Sequence, residues 1–183
     1  VNTMIPDKIK IGEKDEPRLI IPFLDKEKNL FGFQGRSFKK DGVRYITIML
    51  DDSKPKVFGM DTIDEDKDIY LLEGPIDSMF LPNAMAAAGG DLAAQVEQTG
   101  LLKEKIVVVF DNEPRHSDTI KRMQKAIDAG YRVVIWPSDI EHKNVNDMIL
   151  AGYTPEYIKD VLDECNYSGP TAKLHFAIWR KDR

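Results

Sequence analysis

Apolar positions along the chain come in two rhythms. In the first third, residues 18–23 form a short apolar run interrupted at Pro22, residues 30–34 alternate large and small side chains before Gly35, and residues 45–49 form another short run. Runs of this length separated by turn residues predict β-strands. Asp, Glu and Lys then crowd together over residues 61–68, and the rhythm changes. From Ile69 onward, apolar runs at 69–72, 84–88, 106–110 and 132–136 alternate with helical stretches at 76–81, within 92–102 and at 117–129. The helix over 117–129 is the best marked: Ser117 or Asp118 serves as N-cap, Ile120, Met123 and Ile127 recur at helical spacing, and Gly130 ends it.

Buried strands alternating with helices imply βαβ crossovers, so the second part is expected to be an α/β domain with a mostly parallel sheet and helices on both faces. A small β-rich lobe is expected before it. The expected division is a basic N-terminal lobe over 1–66, the α/β domain over 67–152, and a helical segment with a tail over 153–183.

At 183 residues, 42% hydrophobic and 31% charged, the chain can bury a core, and it lacks the run of about 18 apolar residues that a membrane span requires. With no export pattern at its start, it reads as a cytoplasmic protein without a membrane partner. The single Cys165 excludes an internal disulfide framework and a Cys-rich zinc site. His116, His142 and His175 lack the close spacing of zinc ligands, so no zinc site is expected. The formal charge of −5 argues against coating nucleic acid by bulk electrostatics. Its distribution is uneven: residues 1–60 carry 12 Lys and Arg against 9 Asp and Glu, net +3, while residues 61–183 carry 14 against 22, net −8. A polyanion on the first lobe and divalent cations on the second would suit that division.

In parallel sheets, functional side chains gather where strands end and the chain turns toward a helix. Three such ends carry polar residues. Glu73 follows four apolar residues and precedes Gly74; it is either a carboxylate facing a cation or a turn residue stabilising the next helix. Asp111 and Glu113 follow five apolar residues and stand two apart, so on an extended backbone both project to one face about 6 to 7 Å apart. One divalent ion, or a pair about 4 Å apart, fits between them, and without a cation they repel and raise each other's pKa; the alternative is a solvated turn after a strand. A phosphoacceptor aspartate also stands at a strand end, but that leaves Glu73 and Glu113 without a part. Asp147, with Asn144 and Asn146, begins a short helix ending near Gly152, either as an oxygen ligand for Mg²⁺ or as part of a cap. Arg36, Lys39, Lys40 and Arg44 interleave with Phe33, Phe38 and Tyr45, which suits a single strand whose phosphates need cations and whose bases stack on rings, or else an ordinary strand with one solvated face. Arg115 and His116 are candidates to orient phosphates beside a metal, or are solvated residues at a helix entry.

These motifs, in this order, resemble the TOPRIM module shared by primases, topoisomerases and some nucleases: Glu73-Gly74 at the first strand end, Asp111-x-Glu113 in place of the usual Asp-x-Asp, and Lys143-x-x-x-Asp147 downstream. Several further stretches narrow the likeness. They are Glu16-Pro17-Arg18-Leu19-Ile20-Ile21-Pro22, Phe33-Gln34-Gly35-Arg36, Tyr45-Ile46-Thr47-Ile48, Leu72-Glu73-Gly74-Pro75-Ile76-Asp77-Ser78, Asp111-Asn112-Glu113-Pro114-Arg115-His116, Asp118-Thr119-Ile120-Lys121-Arg122-Met123 and Val145-Asn146-Asp147-Met148-Ile149. Together they are similar to the catalytic half of the DNA primases of T-even-type bacteriophages, over roughly residues 16–160.

The resemblance implies synthesis of short RNA primers from NTPs on a single-stranded DNA template, beside a replicative helicase. It implies that Glu73, Asp111 and Glu113 are catalytic and hold Mg²⁺ or Mn²⁺ with Asp147, and that Arg36, Lys39, Arg44, Arg115, His116 and Lys143 face template or nucleotide. Nucleotidyl transfer needs these parts: metals activate the attacking hydroxyl and neutralise the leaving pyrophosphate, and basic side chains hold phosphates. Related primases commonly have Asp at the position of Asn144 and Lys at that of Arg44. Full-length members also carry an N-terminal zinc-binding module that this chain lacks, which implies a fragment of a longer protein. Two rival readings share the metal site, a TOPRIM nuclease and a non-catalytic DNA-binding module.

Overall fold

The computed structural model describes residues 17–39, 41–89 and 92–181. Glu16 and Lys40, both used in the sequence reading, lie outside the described residues.

The first three strands, β1 (Arg18–Leu24), β2 (Leu30–Ser37) and β3 (Tyr45–Met49), form an antiparallel sheet in the order β1-β2-β3. Directly opposed residues share a face, so Ile21, Gln34 and Thr47 form one row and Phe23, Gly32 and Met49 the next. Phe23 is completely buried and its ring packs against Phe31 and Phe58, with centroids 6.2 and 6.5 Å away. Ile21, Phe23, Phe31 and Met49 form a small core that takes in Ala88 from the second sheet, with Phe58, Met60 and Ile76 packed against it. This core fixes the first sheet to the second.

The second sheet holds β4 (Val57–Phe58), β5 (Ile69–Leu72), β6 (Ala84–Ala87), β7 (Ile106–Val109), β8 (Arg132–Val134) and β9 (Asn166–Tyr167), in the order β4-β6-β5-β7-β8-β9. The four inner strands run parallel, and the two-residue edge strands β4 and β9 pair antiparallel. Every residue of β5, β6 and β7 is buried, which explains why their sequences are continuous apolar runs rather than alternating ones. Membership of the sheets departs from the expected division in two places: Asn166–Tyr167 of the expected helical segment pairs with β8, and Val57–Phe58 precedes residue 66 yet pairs with Ala86 and Ala87 of β6. The approach is close, because a Cβ on Gly59 (φ +90°) would lie 3.0 Å from the Ala84 carbonyl oxygen.

The helices are α1 (Pro75–Ser78), α2 (Leu92–Thr99), α3 (Ser117–Asp128), α4 (Val145–Leu150), α5 (Pro155–Glu164) and α6 (Gly169–Trp179). Helices α3 and α6 pack together and on β8, while α4 packs on α1 and α5. The expected N-cap of α3 is corrected: the cap position is His116, with no side-chain hydrogen bond, and Ser117 is already helical. By contrast, Asn144 caps α4 through its side chain and Thr154 caps α5. Among the described residues no helix is long and apolar enough to cross a membrane.

Candidate active site

The order β6-β5-β7-β8 contains a reversal. From β5 the chain crosses to β6 on one side, and it later returns to lay β7 against the other side of β5. The loops leaving the carboxyl ends of β5 and β7 therefore diverge, which opens a crevice above them. Glu73 directly follows β5, and Asp111 stands two residues beyond β7. Pro75 at the first helical position starts α1 at once. A Cβ on Gly74 would sit 2.6 Å from Asp77 Oδ2, so a side chain here would push the Asp77 carboxylate out of its place. Asp77 is thereby folded back into the crevice, where its Oδ1 accepts the Asn146 N–H at 2.8 Å.

The segment after β7 is not extended as the sequence suggested. Glu113 N–H donates to the Asp111 carbonyl at 2.8 Å, a tight turn that still leaves both carboxylates facing one cation: Lys143 Nζ lies 2.9 Å from Glu113 Oε1 and 3.5 Å from Asp111 Oδ2. Asn112, between them, is buried and points the other way. Its Nδ2 donates to the carbonyls of Ile140 (2.7 Å) and His142 (3.3 Å), its Oδ1 accepts from Trp179 Nε1 (3.0 Å), and its N–H donates to the Lys143 carbonyl (2.6 Å). One side chain thus ties the loop bearing Lys143 and the end of α6 to the strand end bearing the acids.

The first sheet supplies the opposite wall. Gln34, Arg44, Tyr45 and Thr47 line a cleft of about 420 Å³ together with Glu73, Gly74, Asp77, Asp111, Lys143 and Asn144, within the size range of small-ligand sites. The Arg36 and Arg44 guanidinium carbons lie 5.7 and 5.6 Å from the Tyr45 ring centroid, within cation–π distance of one aromatic ring.

Not every expected residue reaches the cleft lining: Glu113 stands outside it, tied to it through Lys143, and so does Arg36, beside Tyr45. Lys39 is exposed on the turn after β2, where its N–H donates to Ser37 Oγ. Arg115 turns away and donates to the Lys181 carbonyl at 3.2 Å. His116 lies beside Thr119, with Nδ1 to Oγ1 at 3.3 Å. Asp147 sits in the first turn of α4, its N–H held by Asn144 Oδ1 at 2.9 Å. It lies outside the lining, although its charge is felt at Asp77. Asp77, Gln34 and Thr47 are the polar side chains of the lining that sequence reasoning left without a part. Asp77 carried a usable signal, since it stands four residues after Glu73 in the first turn of the helix that follows it. Gln34 and Thr47 had none beyond lying on strands.

The cleft is short of positive charge. Burial first, then the charge of Glu73, pushes the Asp111 carboxyl up from its usual 3.8 to about 6; Lys143 opposes this, while Asp77 and Glu113 add to it. The Asp77 carboxyl is also raised, chiefly by burial, with the Asn146 amide and Arg36 holding it down. Lys143 is pushed above its ordinary value, mainly by its hydrogen bond to Glu113. Glu73 Oε2 accepts from Arg122 Nη1 at 2.8 Å, and its buried Oε1 makes no hydrogen bond. Among the described residues no three His, Cys, Asp or Glu side chains form a group that would hold a metal on its own. The donor set nevertheless fits a hard divalent ion. The available atoms are carboxylate oxygens, one is buried without a partner, another has a raised pKa, and a lysine ammonium stands between two acids. Mg²⁺ in particular keeps several waters and needs only one or two protein carboxylates alongside substrate phosphates.

No family model matches the chain. Over 184 aligned residues it is 43% identical to the DNA primase of Enterobacteria phage T4, an alignment covering 99% of this chain and 52% of that protein. The chain therefore spans about half the length of that relative. Among solved structures, the zinc-binding and RNA polymerase domains of the Aquifex aeolicus primase superpose with a TM-score of 0.64 at 19% identity, over 94% of this chain and 49% of that one. The primase fragment of the bacteriophage T7 primase-helicase protein gives 0.56 at 21% identity, over 78% and 60%. The fold is thus the one found in primase catalytic cores.

Proposed function

We propose that this chain, a homologue of one half of the phage T4 DNA primase, is the RNA-synthesising catalytic part of a phage-type primase. It would make short primers from NTPs on single-stranded DNA, beside a replicative helicase and in the host cytoplasm. A zinc-binding module elsewhere in the protein would help to choose the start site. The observation that carries this reading is the meeting of Glu73, Asp111 and Lys143 with Arg44 and Tyr45 across one cleft, in a chain 43% identical to a primase.

Glu73, Asp111 and Glu113 would hold Mg²⁺ or Mn²⁺, with Asp77 and Asp147 adding negative charge beside them. When bound, the ions lower the pKa of the attacking 3′-hydroxyl and neutralise the pyrophosphate that leaves. Arg44 and Lys143, the cations of the cleft lining, would orient triphosphate oxygens, and Tyr45, with Arg36 beside it, would offer a ring on which a base can stack. Lys39, Arg115 and His116 stand outside the cleft lining, so in this reading they serve at most the path of the strand beyond it.

Incubation of the intact protein with single-stranded DNA, Mg²⁺ and labelled NTPs tests the reading. Short RNA products that disappear in Glu73→Gln and Asp111→Asn are expected. Cleaved DNA in place of primers would turn the reading to a nuclease, and DNA retention without either product to a binding module.

A further inference from the structure

Arg122 stands on α3, 49 residues from Glu73, and its guanidinium is held by three independent contacts. Its Nε donates to the Asp118 carbonyl one turn earlier (3.3 Å), its Nη1 donates to Glu73 Oε2 (2.8 Å), and its Cζ lies 6.0 Å from the centre of the Phe110 ring. Phe110 immediately precedes Asp111, so one side chain touches both strand ends that carry the cleft acids. The arrangement also divides Glu73 between its two oxygens. Oε2 is occupied by the arginine, and Oε1 is buried with no hydrogen-bond partner.

A buried, unpaired carboxylate oxygen is costly unless something positive meets it. Arginine suits this posture because its planar fork keeps a fixed direction while its charge compensates the carboxylate. From this geometry we infer that Arg122 is a positioning residue: it locks the Glu73 carboxylate so that Oε1 alone is offered, as a single ligand, to a divalent cation in the cleft. The inference rests on the metal-dependent reading given above and assigns Arg122 no contact with nucleotide.

A purely electrostatic part for Arg122 predicts the opposite sign. As a mere counter-ion it would compete with the metal, and its removal would tighten metal binding. As a positioning group, its removal frees the Glu73 carboxylate to rotate and weakens metal binding, by about tenfold or more on the scale seen for groups that orient metal ligands.

Titration of this chain with Mn²⁺, followed by calorimetry and by the paramagnetic signal of free Mn²⁺, separates the two. For Arg122→Ala a rise in Kd of about tenfold is expected. Arg122→Gln, which keeps an N–H donor for Oε2 without the charge, should recover most of the wild-type affinity, and circular dichroism shows whether each variant is folded. Should Arg122→Ala fail to fold, Arg122→Met, which keeps the stem but donates nothing to Oε2, takes its place: a rise in Kd of about tenfold that Arg122→Gln does not share supports positioning, and unchanged affinity in Arg122→Met overturns it. Tighter binding in a folded Ala or Gln variant overturns the inference in favour of a competing counter-ion. Unchanged affinity in Arg122→Ala overturns it as well, leaving Arg122 as a packing residue. If the wild type itself shows no saturable Mn²⁺ binding, the metal reading fails and takes Arg122's role with it, an outcome distinct from a failure of Arg122 alone.

Discussion

Asp111→Asn replaces the cleft carboxylate with a neutral group of the same shape, and the structure predicts that it makes the metal-free protein more stable. The Asp111 side chain is 23% exposed, and its carboxyl is raised from 3.8 to about 6. A carboxyl whose pKa is higher in the folded state favours folding fully only below its unfolded value. That contribution is lost as pH rises through the folded value, because the unfolded chain then binds fewer protons. The shift of roughly two units corresponds to about 3 kcal/mol of destabilisation at pH 8, falling to about 1.5 kcal/mol at pH 5 and about 0.5 kcal/mol at pH 4. In a chain of this size, 1 kcal/mol moves the thermal midpoint by about 2–4 °C, so the variant should melt about 6–12 °C higher at pH 8 and only a few degrees higher at pH 5. The assay is thermal unfolding of both proteins in EDTA across that range, repeated with Mg²⁺ at pH 8. Saturating Mg²⁺ should raise the wild-type midpoint by more than the variant's, since the variant has lost one of the three proposed ligands. A variant that melts no higher than wild type at pH 8, or one whose gain is the same at every pH, would refute the reasoning.

Other substitutions probe the supports of the cleft. Asn112→Ala removes two donated hydrogen bonds to loop carbonyls and leaves the Trp179 indole N–H unpaired in the core; a loss of about 3 kcal/mol in urea unfolding is expected, with weaker NTP binding because the Lys143 loop is released. Lys143→Met removes the ammonium standing between Asp111 and Glu113, so calorimetry should find Mn²⁺ bound more tightly without nucleotide while the KM for NTP rises. Phe23→Ala empties a fully buried site between the two sheets and should cost about 3–5 kcal/mol in chemical denaturation, with primer synthesis falling because Arg44 is no longer held opposite the acids.

Much of the architecture is legible in the sequence because its signals are local. Three continuous apolar runs became the fully buried strands β5, β6 and β7, and the spacing of Ile120, Met123 and Ile127 located α3 to within a residue at each end. The strand-end positions of Glu73 and Asp111 followed from the same runs, since a polar residue that ends a buried strand is visible without knowing its neighbours. The short edge strands were not legible. Two residues, Val57–Phe58, carry no periodicity, and only pairing with β6 makes them a strand. Nor did charge reveal direction: Arg115, two residues from Glu113, turns to the Lys181 carbonyl, whereas Arg122, 49 residues from Glu73 in sequence, reaches its carboxylate.

By itself, then, the sequence determined which segments must be buried, in what order strands and helices follow one another, and which carboxylates end the strands, because burial and backbone period act over a few neighbouring residues. Only the tertiary structure decided that β5 and β7 lie side by side with their loops diverging, and that Asn112 clamps the Lys143 loop. It alone set Arg44 across the cleft and gave Glu73 one tied and one free oxygen. Those outcomes depend on how whole elements pack, and a charged side chain takes whichever partner that packing brings within about 3 Å.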